Sequence, residues 1–409
     1  MALRSAMLLL STAILALSAA QYAVDGVAQS VEVHSLASWG DAPTLLSSSE
    51  MSDADWGKYF DPSLRADWLE LVFDSPPPQP YDDARTLFLT NGSVLIGGPA
   101  TPSAEHRFAW RLPGGQVVEV DSVYVKSVTG YAQSHSSVAQ GRDLLHWQSS
   151  SSTPDVVRGW FLRSDESEVV FETAHKEAAF PWAGVTRIDL LSDDDLTSST
   201  FFVHFKQGVR LAVDSISLSP KTGGGFGEST WAFASKTGAV IRAPLSSVAL
   251  IEQRPSQNIM PQSPSLGLVA GLGEVRDTQP FELWKPRENQ SAEGRPLAPA
   301  KWPVSRGIGL HSPTSASFVG WADRGKLFLR IGRASIPQGV AALPDVEVLI
   351  QSDAPISAIS LGLLPKEASL RVSVDLPAGP FRILLQNKSQ SWAGAQVDVG
   401  FLGWIKLND

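Results

Sequence analysis

From Arg85 onward the chain is written in short runs rich in β-branched and aromatic residues, broken by Gly, Asn, Asp and Ser. Runs of this kind form hairpins of a sheet, barrel or sandwich, because turn residues recur too often for helices of ordinary length. Leu87-Phe88-Leu89-Thr90 and Val94-Leu95-Ile96 flank Asn91-Gly92-Ser93, and Asn-Gly tolerates the positive φ that a tight hairpin turn demands. Phe108-Ala109-Trp110-Arg111-Leu112 and Val117-Val118-Glu119-Val120 flank Pro113-Gly114-Gly115 in the same way.

The runs repeat. Val120-Asp121-Ser122-Val123, Trp182-Ala183-Gly184-Val185 and Leu245-Ser246-Ser247-Val248 share the form apolar, x, small, Val, at spacings of 62 and 63 residues. Phe201-Phe202-Val203-His204-Phe205 before Gln207-Gly208 resembles the opening of the first unit, whereas Ser149-Ser150-Ser151-Ser152 blurs the middle one. Such a period is long for a solenoid, and both small tandem β-barrels and one sheet assembly built by duplication satisfy it. Residues 85–253 are therefore read as a β-repeat region.

Composition shifts set the other boundaries. Residues 21–84 mix Ser/Asp clusters with Trp39, Trp56 and Trp68 and close on Pro76-Pro77-Pro78-Gln79-Pro80, which reads as a mobile N-terminal segment with a stiff Pro-rich end. A few helical turns are expected around Ala66-Asp67-Trp68-Leu69-Glu70-Leu71. Residues 254–280, with several prolines among Ser, Gln and Gly, read as a linker. Residues 281–409 return to strands at Lys326–Ile331, Val346–Ile350, Ser369–Leu376, Phe381–Leu385 and Trp404–Leu407. With no helical pattern between them, these predict an antiparallel sandwich, so the fold class is mainly β.

The formal net charge is −9 and the pI near 5.3, which argues against a nucleic-acid partner, since phosphate tracking needs clustered Lys and Arg. Arg4, the apolar run Ala6–Leu17 and the small residues Ser18-Ala19-Ala20 have the form of a signal peptide cleaved after Ala20. The run is shorter than the about 20 residues a membrane span needs, and no later run is long enough, so no span is expected after cleavage. The absence of cysteine removes disulfides, thiolate metal sites, lipid acylation and cysteine nucleophiles together, and fits a bacterial envelope: the expected location is periplasmic or extracellular.

Four pieces in order carry a family resemblance: Gly294-Arg295-Pro296-Leu297; Arg306-Gly307-Ile308-Gly309-Leu310-His311-Ser312; Val372-Ser373-Val374-Asp375-Leu376; and Asp398 leading to Trp404-Ile405-Lys406-Leu407. Residues 281–409 thereby resemble the NPCBM-type carbohydrate-binding module found beside glycosidases and common in exported bacterial proteins. The resemblance implies a galactose-binding-like jelly roll, a glycan ligand and, in some members, a structural calcium ion. This chain departs from the pattern between Trp321 and Ile336, where Arg324, Lys326, Arg330 and Arg333 replace an acidic, Gly-rich connection. More loosely, residues 85–253 resemble the Sm-like or SH3-like units of exported planctomycete-type proteins.

Six residues are candidates for ligand contact. His311 and Ser312 follow a Gly-rich turn where donors could meet a sugar hydroxyl, though the imidazole could equally hold the turn. Trp321 and Trp392 offer flat aromatic faces of the kind sugar rings stack on. Trp392 and Asn387 belong to the polar stretch Asn387-Lys388-Ser389-Gln390-Ser391-Trp392, suited to a site at a sandwich end. Asp398 enters through the resemblance. Trp404, in an apolar run, is expected in the core.

Catalysis finds little support. The seven histidines form no His-Glu-x-x-His, there is no Gly-x-Ser-x-Gly elbow, and Gly223-Gly224-Gly225-Phe226-Gly227 lacks the Lys-Ser/Thr of a phosphate loop. Asp193-Asp194-Asp195 lacks the alternate spacing of a calcium loop. The sequence therefore reads as an exported, non-catalytic protein that needs no cofactor and binds a glycan or envelope polymer, with structural scaffolding among other envelope proteins as the alternative.

Overall fold

Hairpin chemistry recurs through the repeat region. Backbone bonds Leu89 N–H to Ser93 O (3.0 Å) and Gly92 N–H to Leu89 O (3.0 Å) close one turn, with Gly92 at φ +88°. The same pair of bonds closes turns at 112–116, 205–209 and 235–239, with Gly115, Gly208 and Gly238 at φ +89°, +85° and +87°. These are three-residue loops in which a glycine in the left-handed region forms a bulge, rather than two-residue primed turns.

The computed structural model describes residues 30–35, 37, 39, 41–48, 50–61, 68–74, 85–104, 107–129, 141–148, 155–174, 176–191, 199–219, 229–253, 286–288, 291–292, 297–302, 304, 307–334, 343–352, 358–389 and 394–407. The expected signal peptide, the polyproline stretch and the expected linker over 254–280 lie outside them. The first repeat unit comprises β4 (Arg85–Leu89), β5 (Val94–Ala100), β6 (Arg107–Arg111), β7 (Val117–Asp121) and β8 (Val125–Thr129), following β1 (Ser30–Ser35), β2 (Thr44–Ser47), α1 (Asp53–Phe60) and β3 (Trp68–Val72). The second comprises β9 (Asp143–Trp147), β10 (Asp155–Ser164), β11 (Glu168–Glu172), β12 (Glu177–Pro181) and β13 (Val185–Asp189). In the third, β14 (Phe201–Phe205) is followed by a bent second strand, β15 (Arg210–Val213) and β16 (Ser215–Leu218), then β17 (Thr230–Ala234), β18 (Val240–Pro244) and β19 (Val248–Gln253).

Every unit orders its strands fifth, first, second, third, fourth. A 3₁₀ turn joins fourth to fifth: Ser122–Tyr124, Trp182–Gly184 and Leu245–Ser247. The equivalent valines are Val125, Val185 and Val248, so the sequence alignment on Val123 is two residues early. Gly184 is needed in its turn because a Cβ there would lie 2.3 Å from the Trp147 ring. Among the described residues no unit pairs its fourth strand with its fifth, so the barrels do not close and the units form one sheet assembly. The first and second units join fifth strand to fifth strand, β8 with β13, and the first and third meet where Val94 of β5 faces Arg210 of β15.

The N-terminal segment, expected to be mobile, supplies the third unit's missing neighbour. β3 pairs with β19 on one side and β1 on the other, so residues 68–72 are strand and not helical turns. All five are buried, and a strand central in a sheet has both faces covered, which favours this apolar run as strand. The short helix that does form is α1, started by a capping box between Ser52 and Asp55, with Trp56 and Phe60 turned into the repeat core.

The C-terminal region is a sandwich of β20 (Arg287–Glu288), β21 (Gly307–His311), β22 (Ser315–Trp321), β23 (Gly325–Arg333), β24 (Val346–Ser352), β25 (Ile359–Leu363), β26 (Leu370–Leu376), β27 (Gly379–Asn387) and β28 (Gln396–Lys406). One sheet runs β20-β21-β28-β23-β26 and the other β22-β27-β24-β25, all antiparallel neighbours. Alternation along β23 sends Leu327, Leu329 and Ile331 into the sandwich core, while Phe328 packs with Trp39, Leu69, Leu297, Val304 and Leu402 in a separate cluster. That second cluster joins the sandwich to the N-terminal strands. No helix among the described residues is long and apolar enough to cross a membrane.

Candidate functional site

At one end of the sandwich, the segment after β27 is held from both sides. Asn387 Oδ1 accepts from the Ser389 amide (2.8 Å), Lys388 N–H donates to the Asp345 carbonyl (2.8 Å), and Asp345 N–H donates to Ser389 Oγ (2.8 Å). On the far side, the Ser312 amide donates to the Ala395 carbonyl (3.1 Å). Beneath lies buried Arg333, whose guanidinium donates to the Pro344 and Gly394 carbonyls. Residues 390–393, including Trp392, lie outside the described residues, between these two anchored flanks.

The other candidates serve the scaffold. Trp321 is buried, stacked 4.9 Å from Trp404 at 10° and 5.6 Å from Phe381 at 6°, so it is a core ring and not a sugar platform. Trp404 is in the core as the sequence predicts. His311 is buried, with Nδ1–H donating to the Ser312 carbonyl (2.8 Å), and burial holds the imidazole below its ordinary 6.5. Of its two expected roles, the turn-holding one has the geometry. Ser312 is fully buried beside it. Asp398 is buried and accepts the Ala298 amide on Oδ2 (2.9 Å), tying the segment before β21 to β28.

His311→Ala is expected to cost about 1–3 kcal/mol by leaving the Ser312 carbonyl without its donor. The measurement is thermal denaturation of the full chain; an unchanged melting temperature with lost ligand binding would reassign the ring to contact. Because its folded pKa is depressed, this histidine's contribution is present above about pH 6.5 and fades as the pH falls below it.

For the calcium ion that the family resemblance implies, the described residues offer no acidic cluster. Calcium takes six to eight oxygens. Among the described residues no three acidic or imidazole groups converge, and Asp398 commits an oxygen to a backbone amide.

A buried polar cluster that joins β3 to the sandwich has little signature in the sequence. Glu70 of β3 and Arg330 of β23 are both fully buried and in direct contact, and Arg371 of β26 reaches the same Glu70 oxygen at 3.4 Å. Arg330 lies 5.2 Å over the Trp302 ring, and Arg371 5.9 Å over Trp39, whose Nε1–H donates to the Leu329 (3.2 Å) and Val372 (3.1 Å) carbonyls. Arg210 of β15 donates to the Val304 carbonyl (2.9 Å). The only advance sign was Arg330 as a departure from the module pattern. A second omission is Trp160 on β10, the exposed tryptophan among the described residues, 45% accessible, with Val156 at 52% two alternations away on the same face.

The protein is thus a mainly β assembly of three five-stranded units and a C-terminal sandwich. No family model matches the chain, and no curated protein matches it. Among solved structures, it is similar to the CBM51 module from Clostridium perfringens GH95 in complex with methyl-galactose, at 13% identity and TM-score 0.24, covering 30% of this chain and 87% of that one. The CBM51-2 and INT domains of Clostridium perfringens ZmpB in complex with GlcNAc match at 11% identity and TM-score 0.23, covering 49% of this chain and 43% of that one. The exo-beta-1,3-galactanase Pc1,3Gal43A from Phanerochaete chrysosporium with galactose matches at 9% and 0.21, covering 75% and 69%.

Proposed function

We propose that this is an exported, non-catalytic binding protein that recognises a glycan or envelope polymer at the end of its sandwich, through the segment carrying Trp392. The observation that supports this reading is the double anchorage of that segment by Asn387, Asp345, Ser312 and Arg333. Flanks fixed before binding lower the ordering cost that weak sugar contacts would otherwise meet.

The test is a glycan array on the full chain. Trp392→Ala is expected to remove about 1–3 kcal/mol of affinity, roughly 5- to 150-fold, with unchanged melting. If the chain binds no glycan at millimolar concentration, the reading fails. Scaffolding would then be the better account, favoured by the outward face of β10 with Val156 and Trp160 exposed on it.

A further inference from the structure

Four adjacent strands, β14, β19, β3 and β1, place titratable side chains side by side at the seam with the sandwich. Glu70 stands directly across from Glu252 on one side and His34 on the other. His204 of β14 completes the row, 3.3 Å from Glu252. All four are buried. The order across the sheet is therefore imidazole, carboxylate, carboxylate, imidazole, and two guanidiniums of the sandwich, Arg330 and Arg371, meet it at Glu70. The remaining charges facing the row are Glu32 beside His34 (3.1 Å) and Arg210, cross-strand from His204.

We propose that this seam is an acid-released latch: the sandwich is docked on the sheet at neutral pH, and protonation of His34 and His204 drives it off. A row of two carboxylates between uncharged imidazoles accepts two guanidiniums. A row whose outer members have become cations places like charge beside Arg330 and Arg371, in a setting where charges are poorly screened.

The titration runs in that sense. Burial, helped by Arg371 and Arg330 against Glu32, takes His34 from 6.5 to about 4. Burial likewise lowers His204, with Glu252 opposing and Arg210 and Arg330 assisting. Burial pushes Glu252 up, but His204, Arg330 and Arg210 outweigh it and leave it below the ordinary carboxylate range. Burial raises Glu70 against the pull of Arg330 and Arg371. Both histidines are held below 6.5 in the closed seam, and the raised Glu70 opposes them. Docking is therefore strongest above about pH 6.5 and weakens toward pH 4, where the His34 contribution is gone.

Small-angle scattering on the full chain between pH 7.5 and pH 4, with far-UV circular dichroism in parallel, reads this directly. The expected result is a rise in radius of gyration on acidification while the strand signal is retained, and its suppression in the His34→Gln/His204→Gln variant. A radius constant across that range, or a variant that opens at the same pH as wild type, overturns the latch. Should the variant fail to fold, hydrogen exchange on the wild-type chain decides. Selective loss of protection in 30–35 and 325–333 at acid pH supports the latch, and uniform loss refutes it.

Discussion

Replacing Arg330 with methionine is expected to lower the stability of the full chain by about 3–5 kcal/mol, the range for removing one partner of a buried ion pair. The cause is specific to this seam. Glu70 and Glu252 face each other directly across β3 and β19, an arrangement that like charges disfavour in any ladder. Arg330 is the cation that touches Glu70 with no solvent access of its own. Without it two carboxylates share a dry position, and methionine restores volume but no charge. Glu70→Leu combined with Arg330→Met is expected to recover much of the loss, because exchanging both partners for apolar groups leaves only the part-exposed Arg371 without its carboxylate. Chemical denaturation of both variants checks this; an Arg330→Met variant as stable as wild type would mean the pair does not form.

Trp321→Ala is expected to cost a comparable amount, about 3–5 kcal/mol, as for other buried aromatic deletions. The ring lies parallel to both Trp404 and Phe381 at stacking distance, so its removal opens a hole against two large neighbours at once. Trp321→Phe should retain much of the packing and fall between the two. Melting temperatures of both variants test it. Ligand affinity lost without a change in melting would return the residue to the ligand surface that its sequence context suggested.

Local chemistry made much of the fold legible. Asn91-Gly92, Gly114-Gly115, Gln207-Gly208 and Thr237-Gly238 each put glycine where a bulged hairpin needs positive φ, so the hairpins of the first and third units are readable. The middle unit, its opening blurred by Ser149–Ser152, also has no such glycine at its 164–168 turn, where the Asp165 carboxylate accepts the Ser167 and Glu168 amides. Pairing between distant segments left no such mark. Trp68–Val72 carries an apolar run that suits a helix face as well as a strand, and only β1 and β19 on either side decide it. Similarly, Trp321 and Trp392 look alike in sequence, since stacking partners sixty or more residues away are invisible there. Arg330 showed itself only as an oddity in an apolar strand, because its partner Glu70 sits 260 residues earlier.

The pairing of fifth strands also limits how a further unit could join by that edge. A fifth strand offers an open edge, and β8 and β13 satisfy theirs with one another. β19 is left over, as one of any three must be, and β3 occupies its edge. The N-terminal segment thus terminates the series in the way a capping repeat ends a solenoid. A fourth unit joined through its fifth strand would have to evict β3 from β19, and with β3 would go Glu70 and the seat of the sandwich. The copy number is therefore tied to the docking of a domain that contains none of the copies.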